Sequence, residues 1–397
     1  MRKYARIRET ARNLIPDLPV IRKYLSSRLE KSVRSTLIPN EDVILGENGT
    51  KNKLKILKKY HDSLGSHIKH IEPGIDTAIK TGINYKNLEK SELDAIKIDM
   101  RFCNIAYGFI PNEYVALGLE KKGYDERITY VSDQQRRIFR CRMNDILAGK
   151  LFVNKGQTFE MFREYYQREV ISISTPMHFK RFHDFVKRHD KFVLKNAIDS
   201  LGNGVKLVKR KEIKNEKEFF LSCIKKGTHV LEELIVQSDE LAAFNRSSVN
   251  TVRAISFNTP KGITVPYCIL RMGREGSFID NGGNGGVIAC IDYETGEIIT
   301  DGYDEKGNAF QSHPDSGTVF KGFKMPDWEA LRTLCKTVAL KTPKIRMVGW
   351  DFAHTPNGWV IVEGNDSPHL IGQQMILGGL KETMDTLLKE MENESSN

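Results

Sequence analysis

The chain has no apolar run approaching the roughly 18 to 20 residues that a membrane-spanning helix needs. Its opening stretch MRKYARIRETARNLIPDLPV also lacks the apolar central block of a signal peptide. Both absences predict a protein that stays in the cytoplasm. Cysteine is sparse too. The six residues Cys103, Cys141, Cys223, Cys268, Cys290 and Cys335 form no C-x-x-C pair and have no His at zinc-finger spacing, so they read as reduced, mostly buried thiols. A Walker loop is missing, and no Ser/His/Asp or Cys/His set stands out by spacing. There is no internal repeat, and no low-complexity tract beyond the polar tail KEMENESSN. What is present is a chain of 397 residues, 40% hydrophobic and 28% charged, enough for two or three packed domains of ordinary globular composition.

The net charge is +10, and much of the excess sits early, in Arg2, Lys3, Arg6, Arg8, Arg12, Arg22, Lys23, Arg28, Lys31 and Arg34 against Glu9, Asp17 and Glu30. Such a segment suits a nucleic acid, an anionic membrane surface or a phosphorylated substrate, and equally a solvated basic helix. Residues 1–95 read as a basic, mostly helical region interrupted by EDVILGENGTKNK, and residues 96–145 as a second helical section in which apolar residues recur at helical spacing. The texture then changes. Short β-branched or aromatic runs (KFVLKNA, GVKLVKR, HVLEELIV, VNTVRAISF, ITVPYCILRMG, GVIACID, WVIVEGN) alternate with Gly/Asn/Asp turns, and helical stretches such as PMHFKRFHDFVKRH and DWEALRTLCKTVAL lie between them. Many connections are too short for a parallel crossover, so the class is α+β with antiparallel strands.

Four constellations carry oxygen or nitrogen groups suited to chemistry. In FVLKNAIDSLGNGVKLV a strand delivers Lys195, and a loop with Gly202 and Gly204 turns back into a second strand. Glycines there let the backbone approach a phosphate while the lysine adds charge, although a plain hairpin also accounts for SLGNG. In HVLEELIVQSDEL a strand runs into Glu232 and Glu233, with Asp239 following; this suits a segment between lobes that reads an adenine edge and a ribose, or a solvated strand end. In SSVNTVRAISF alternation puts Arg253 and Thr251 on one face and Asn250, Val252 and Ala254 on the other. Arg271 ends a later apolar strand, so both arginines could hold phosphate or carboxylate oxygens. In MVGWDFAHTPNGWVIVEGNDSP a hairpin turn brings Asp351 opposite the Glu363 region. Asn365 lies two residues further on the same side, about 6.6 Å from Glu363. Three oxygen donors without a Cys suit a hard cation such as Mg²⁺ better than zinc. A turn-forming role explains GNDSP alone.

Taken in order, these pieces resemble the ATP-grasp superfamily. SSVNTVRAISF, DNGGNGGVIACIDYETGEI and GWDFAHTPNGWVIVEGN look like its sugar-transfer-associated branch over roughly residues 140–385. The resemblance implies an ATP-grasp fold with a small lobe over 146–235 and a large lobe with a metal site over 236–390. It implies ATP and Mg²⁺ as cofactors. Lys195 would contact the nucleotide phosphates, as would Lys150, where Gly149 replaces the commoner Asp. Gly202, Asn203 and Gly204 would form the phosphate loop. Glu232, Glu233, Leu234 and Ile235 would line the adenine, with Asp239 near the ribose. Asp351, Glu363 and Asn365 would bind magnesium, and Arg253 and Arg271, with Asn250 beside them, would steady a γ-phosphate or acyl phosphate. The implied activity is ADP-forming ligation of a carboxylate to an amine, free or glycan- or lipid-linked, in bacterial surface-polysaccharide synthesis. A phosphotransferase on the same fold is the alternative. A basic nucleic-acid-binding protein is the alternative from another class, disfavoured because aromatics are not interleaved with the basic cluster. The basic N-terminus adds the expectation of peripheral contact with the inner membrane face.

Overall fold

The structure is a computed structural model that describes residues 19–198, 205–274, 276 and 285–394. Gly202, Asn203 and Gly204, the basic residues before Pro19 and most of the DNGGNGG turn lie outside the described residues.

Helices come first: α1 (Pro19–Arg34), α2 (Asn40–Glu47), α3 (Thr50–Lys59), α4 (His61–Thr81), α5 (Lys90–Tyr107), α6 (Pro111–Ala116) and α7 (Tyr124–Arg127). Met100, Phe102, Cys103 and Tyr107 recur at helical spacing on α5 and pack with Ile56, Ile75 and Tyr114 into one apolar core. A buried acid, Asp99, is neutralised inside that core by Arg127 (2.6 Å) and Lys53 (2.5 Å) and accepts the Tyr114 hydroxyl at 2.6 Å. Positions 95 and 96, where the sequence suggested a boundary, fall in the middle of α5. α8 (Asp133–Met143) follows, its start fixed by Ser132, whose hydroxyl accepts from the Gln135 N–H at 3.2 Å.

Two short helices, α9 (Lys150–Val153) and α10 (Lys155–Phe162), lead into a four-stranded antiparallel sheet in the order β1 (Val170–Ile173), β4 (His229–Glu233), β2 (Lys191–Asn196), β3 (Lys206–Lys209). Along β2 the residues alternate. Phe192 and Leu194 turn into an apolar cluster with Phe182 and Phe185 of α11 (Phe179–Arg188) and Phe220 of α12 (Glu216–Lys226), which leaves Val193 and Lys195 for the other face. α13 (Asp239–Ala242) then opens the larger unit, a seven-stranded antiparallel sheet ordered β11 (Gly358–Asn365), β10 (Met347–Thr355), β5 (Thr251–Thr259), β6 (Gly262–Met272), β7 (Val287–Cys290), β8 (Gly302–Asp304), β9 (Ala309–Phe310). α14 (Trp328–Leu340) covers one face with Leu331, Cys335 and Val338 against Val252, Ala254 and Phe352. α15 (Ile371–Leu377) and α16 (Lys381–Glu394) close the chain, and Met384 and Leu388 of α16 meet Phe139 and Met143 of α8. The six cysteines are buried free thiols. Among the described residues no helix is long and apolar enough to cross a membrane.

Candidate active site

The small sheet offers a charged face to the cleft between the two sheets. The register pairs Val193 with Glu232 and Lys195 with Val230, so Lys195 and Glu232 sit diagonally on one face. Lys195 Nζ lies 2.8 Å from Glu232 Oε1, and Arg168 Nη2 donates to Oε2 at 2.9 Å. Burial pushes the Glu232 carboxyl up, but the two cations outweigh it and bring it down to about 2. The side chain is only 6% exposed, so this acid is neither solvated nor a simple strand end. Arg168 was not singled out from the sequence. Its Nη1 also donates to the Ile361 carbonyl at 2.7 Å, and its guanidinium lies over the Tyr166 ring at 4.5 Å. It therefore ties the small-lobe acid to the last strand of the large sheet.

That strand carries the second half of the site. A regular hairpin closing at Thr355 and Gly358 would set Val362 opposite Asp351. Instead the register slips between Asp351 and Phe352, leaving Val362 as the extra residue of a β-bulge and setting Glu363 opposite Asp351. Without the slip Glu363 would face Trp350, which is fully buried, at the cost of an unpaired carboxylate in an apolar core. On the neighbouring strand β5, Arg253 pairs with Asp351 in register. Its Nε and Nη2 both donate to the Asp351 carboxylate, the latter at 2.6 Å, and Arg271 Nη1 donates to Oδ2 at 2.9 Å. Burial raises the Asp351 carboxyl, yet the two guanidiniums hold it below the ordinary range. Glu363 has the opposite balance. Burial and then the neighbouring Asp351 charge raise it above the ordinary range, despite Arg253, Lys195 and Lys155. Among the described residues no hydrogen-bond donor meets its carboxylate.

A narrow pocket lies between these halves, lined by Lys155, Lys195, Glu232 and Glu363 with Phe152 and Tyr166. Lys155 is the second group that the sequence did not bring forward, although NKGQTFEMF is a readable helix start. Asn154 Oδ1 accepts the Gly156 N–H at 3.0 Å, and the Lys155 N–H is tied to the Ala197 carbonyl at 3.0 Å beside the end of β2. Lys150 begins α9 and is not among the residues lining this pocket. The glycine before it has a physical reason. A Cβ on Gly149 would stand 2.3 Å from Asp366 Oδ2, a carboxylate that Arg140 already holds at 2.6 and 2.9 Å.

The remaining sequence candidates are distributed unevenly. Asn365 pairs with Gly349 on the same side as Glu363, and its Oδ1 accepts the Ser367 N–H at 2.9 Å, which makes the turn out of β11. Glu233 accepts the Glu169 N–H at 2.9 Å. Leu234 and Ile235 follow β4 in an irregular segment that ends at Ser238, whose N–H donates to the His354 carbonyl at 2.8 Å. Asp239 is exposed and lies 3.3 Å from Arg246. Asn250 is fully buried, and its amide donates to Gln237 Oε1 and the Leu241 and Asn245 carbonyls, away from the face that carries Arg253.

Asp351, Glu363 and Asn365 supply hard oxygen donors, and among the described residues no donor is committed to the Glu363 carboxyl. Among the described residues no three His, Cys, Asp or Glu side chains converge, so a cation held here would need phosphate oxygens and water to complete its shell, a habit of Mg²⁺. The donor set fits that ion. A family description, sugar-transfer associated ATP-grasp, matches residues 139–389. The chain belongs to this ATP-grasp family. In three dimensions it is similar to D-alanyl-alanine synthetase A from Vibrio cholerae O1 biovar eltor (14% identity, covering 63% of this chain and 67% of that one, TM-score 0.42). It is also similar to D-alanine-D-alanine ligase from Helicobacter pylori (13% identity, 60% and 61% covered, TM-score 0.40). A third similar structure is the ATP-grasp ligase PsnB complexed with a minimal precursor, Mg and ADP (14% identity, 67% and 70% covered, TM-score 0.37). No curated protein matches the chain. As an ATP-grasp protein the chain is an ATP-binding enzyme of mixed α+β fold.

Proposed function

We propose that the protein is an ADP-forming carboxylate–amine ligase that works through an acyl phosphate and attaches an amino acid or amino sugar during synthesis of a surface polysaccharide. The observation that carries this is the meeting of the Asp351–Glu363 acid pair and the Arg253–Arg271 guanidinium pair on one sheet face, across a narrow cleft from Lys155 and Lys195. The glycan context is supported by the family's association with sugar transfer.

Lys155 and Lys195 would draw the nucleotide phosphates into the cleft by charge, and the segment from Glu232 to Ile235 with Asp239 would hold the nucleoside. Asp351, Glu363 and Asn365 would hold Mg²⁺, which when bound neutralises phosphate oxygens and orients the terminal phosphoryl group. Arg253 and Arg271 share the single Asp351 carboxylate, which leaves this face with an excess of positive charge. The guanidinium donors of Arg253 and Arg271 on this face suit the oxygens of a γ-phosphoryl group or an acyl phosphate. A substrate carboxylate oxygen then attacks the γ-phosphorus and ADP leaves. The amine nitrogen displaces inorganic phosphate from the acyl carbon, losing a proton as the amide forms. Positioning and charge neutralisation supply most of the rate in such phosphoryl transfer, which suits a cleft without a protein nucleophile.

The test is a screen of acids for ATP-dependent hydroxamate formation with hydroxylamine, followed by ADP release with acid and amine pairs. Hydroxamate from an acid that also supports amide formation is the expected result. ADP formed with a hydroxyl acceptor and no carboxylate would replace the ligase with a phosphotransferase.

A further inference from the structure

α2 and α3 form an antiparallel pair laid on α5. Lys59 and Tyr60 at the end of α3 reach back to Asp42 on α2, at 2.8 and 2.6 Å, and Lys53 reaches Asp99 on α5 at 2.5 Å. Gly46 touches the Phe102 ring so closely that a Cβ there would lie 2.1 Å from it, and Val43 and Ile56 are buried. With those faces anchored inward, the helical period turns Ile44 and Leu45 on one helix and Lys51, Leu54, Lys55 and Lys58 on the other outward. Ile44, Leu45 and Leu54 are 48%, 49% and 48% exposed.

The charges on this face differ from those beneath it. Lys53 and Lys59 are paired with carboxylates. Lys51, Lys55 and Lys58 lie four and three residues apart around Leu54, and no carboxylate pairs with them among the described residues. A short apolar strip fringed by unpaired lysines is complementary to an interface with negative charge at its surface and hydrocarbon just below. We propose that this face of the α2–α3 pair docks the protein on an anionic lipid surface, with Ile44, Leu45 and Leu54 entering the headgroup layer and the three lysines meeting lipid phosphates. A nucleic acid suits the face less well. It carries no arginine or aromatic side chain to stack or fork against bases and backbone, and its apolar residues would be left against phosphate. The proposal does not rest on the ligase chemistry.

Co-sedimentation of the full chain with vesicles tests it. Phosphatidylcholine vesicles should leave the protein in solution, and vesicles of phosphatidylcholine and phosphatidylglycerol in equal parts should pellet it, with release at high salt. Lys51→Glu with Lys55→Glu should weaken binding to the mixed vesicles by more than about tenfold. Leu54→Ser, which leaves every charge in place, should weaken it by about threefold. All these positions are exposed, so wild-type thermal melting of the variants is the check that folding is intact. Full-strength binding by the folded double variant would place the contact elsewhere, for example in the basic residues before Pro19, and would overturn the proposal. So would a wild-type chain that ignores the mixed vesicles, or one that a DNA duplex strips from them while the double variant loses DNA binding.

Discussion

Glu232 and Glu363 face the same cleft from opposite sheets, and burial raises the carboxyl of each before their neighbours act. Glu232 has Lys195 and Arg168 at hydrogen-bonding distance, so its folded carboxyl lies at about 2 against an ordinary 4.5. A depressed carboxyl stabilises the fold above its unfolded value, and the contribution is lost as the pH falls from about 4.5 toward the folded value. Glu232→Gln leaves two buried cations without their acid, and the expected cost near neutral pH is about 3 to 5 kcal/mol. Urea unfolding of both chains should show that gap, narrowing as the medium is acidified below about 4.5. A gap that stayed constant on acidification would contradict the ion-pair assignment. Glu363 runs the other way. Its carboxyl is raised, so ionised Glu363 burdens the folded chain as the pH rises through the raised value. Glu363→Gln is therefore expected to stabilise the ligand-free protein by about 1 kcal/mol while removing its nucleotide affinity, the usual exchange at a functional acid. Loss of stability in the ligand-free variant would mean that Glu363 is held by contacts rather than strained by Asp351.

At the scale of elements, the hairpin from Met347 to Asn365 shows where sequence pattern suffices and where it stops. The turn at HTPNG and the strand runs on either side follow from turn residues and alternation, and so does the separation of Arg253 on β5 from Asn250 just before it. The bulge at Val362 does not. A uniform two-residue period gives one register, and only the penalty for turning Glu363 toward Trp350 selects the other. Lys155 was missed for a similar reason. Two lysines five residues apart precede the small sheet, the family resemblance points to the first, and the Asn154 cap marks the second only as a helix start. The apolar run Leu234–Val236 looked like a strand continuation, yet β4 stops at Glu233 and Val236 is 71% exposed. Packing between elements gives one sharp prediction. Gly149→Ala places a methyl against Asp366, which cannot yield while Arg140 grips it, and thermal denaturation should report a loss of about 1 to 3 kcal/mol. In an Arg140→Ala background Asp366 can turn aside, so the same change should cost less there, a coupling that a double-mutant cycle measures.

For the whole molecule, the helical region is joined to the segment that follows the large sheet's strand β11. Gln374 on α15 closes both ways on Val131, accepting its N–H at 2.6 Å and donating to its carbonyl at 2.9 Å, and Arg136 Nη1 donates to the Ser367 carbonyl at 2.7 Å. The segment leaving the acid-bearing strand is thus held from outside the stretch that matches the family, which starts at residue 139. Contacts of this kind span more than 200 residues of chain, and no local pattern announces them. The antiparallel strands and most of the acids and bases facing the cleft were legible because each is a local period or turn. The order of strands in the sheets, the Asp351 clasp by Arg253 and Arg271, and Arg168 as a link between the sheets depend on which side chains meet, which only the assembled fold decides. All of it converges on one cleft, proposed above to take a nucleotide with a hard cation. Calorimetric titration of the intact protein with ATP, with and without Mg²⁺ and with Glu363→Gln beside it, tests that most directly. The expected result is magnesium-dependent binding that strengthens as the pH rises and Glu363 ionises, and that the variant loses. Binding that ignored magnesium, or that the folded variant kept at full strength, would contradict the assignment of Asp351 and Glu363.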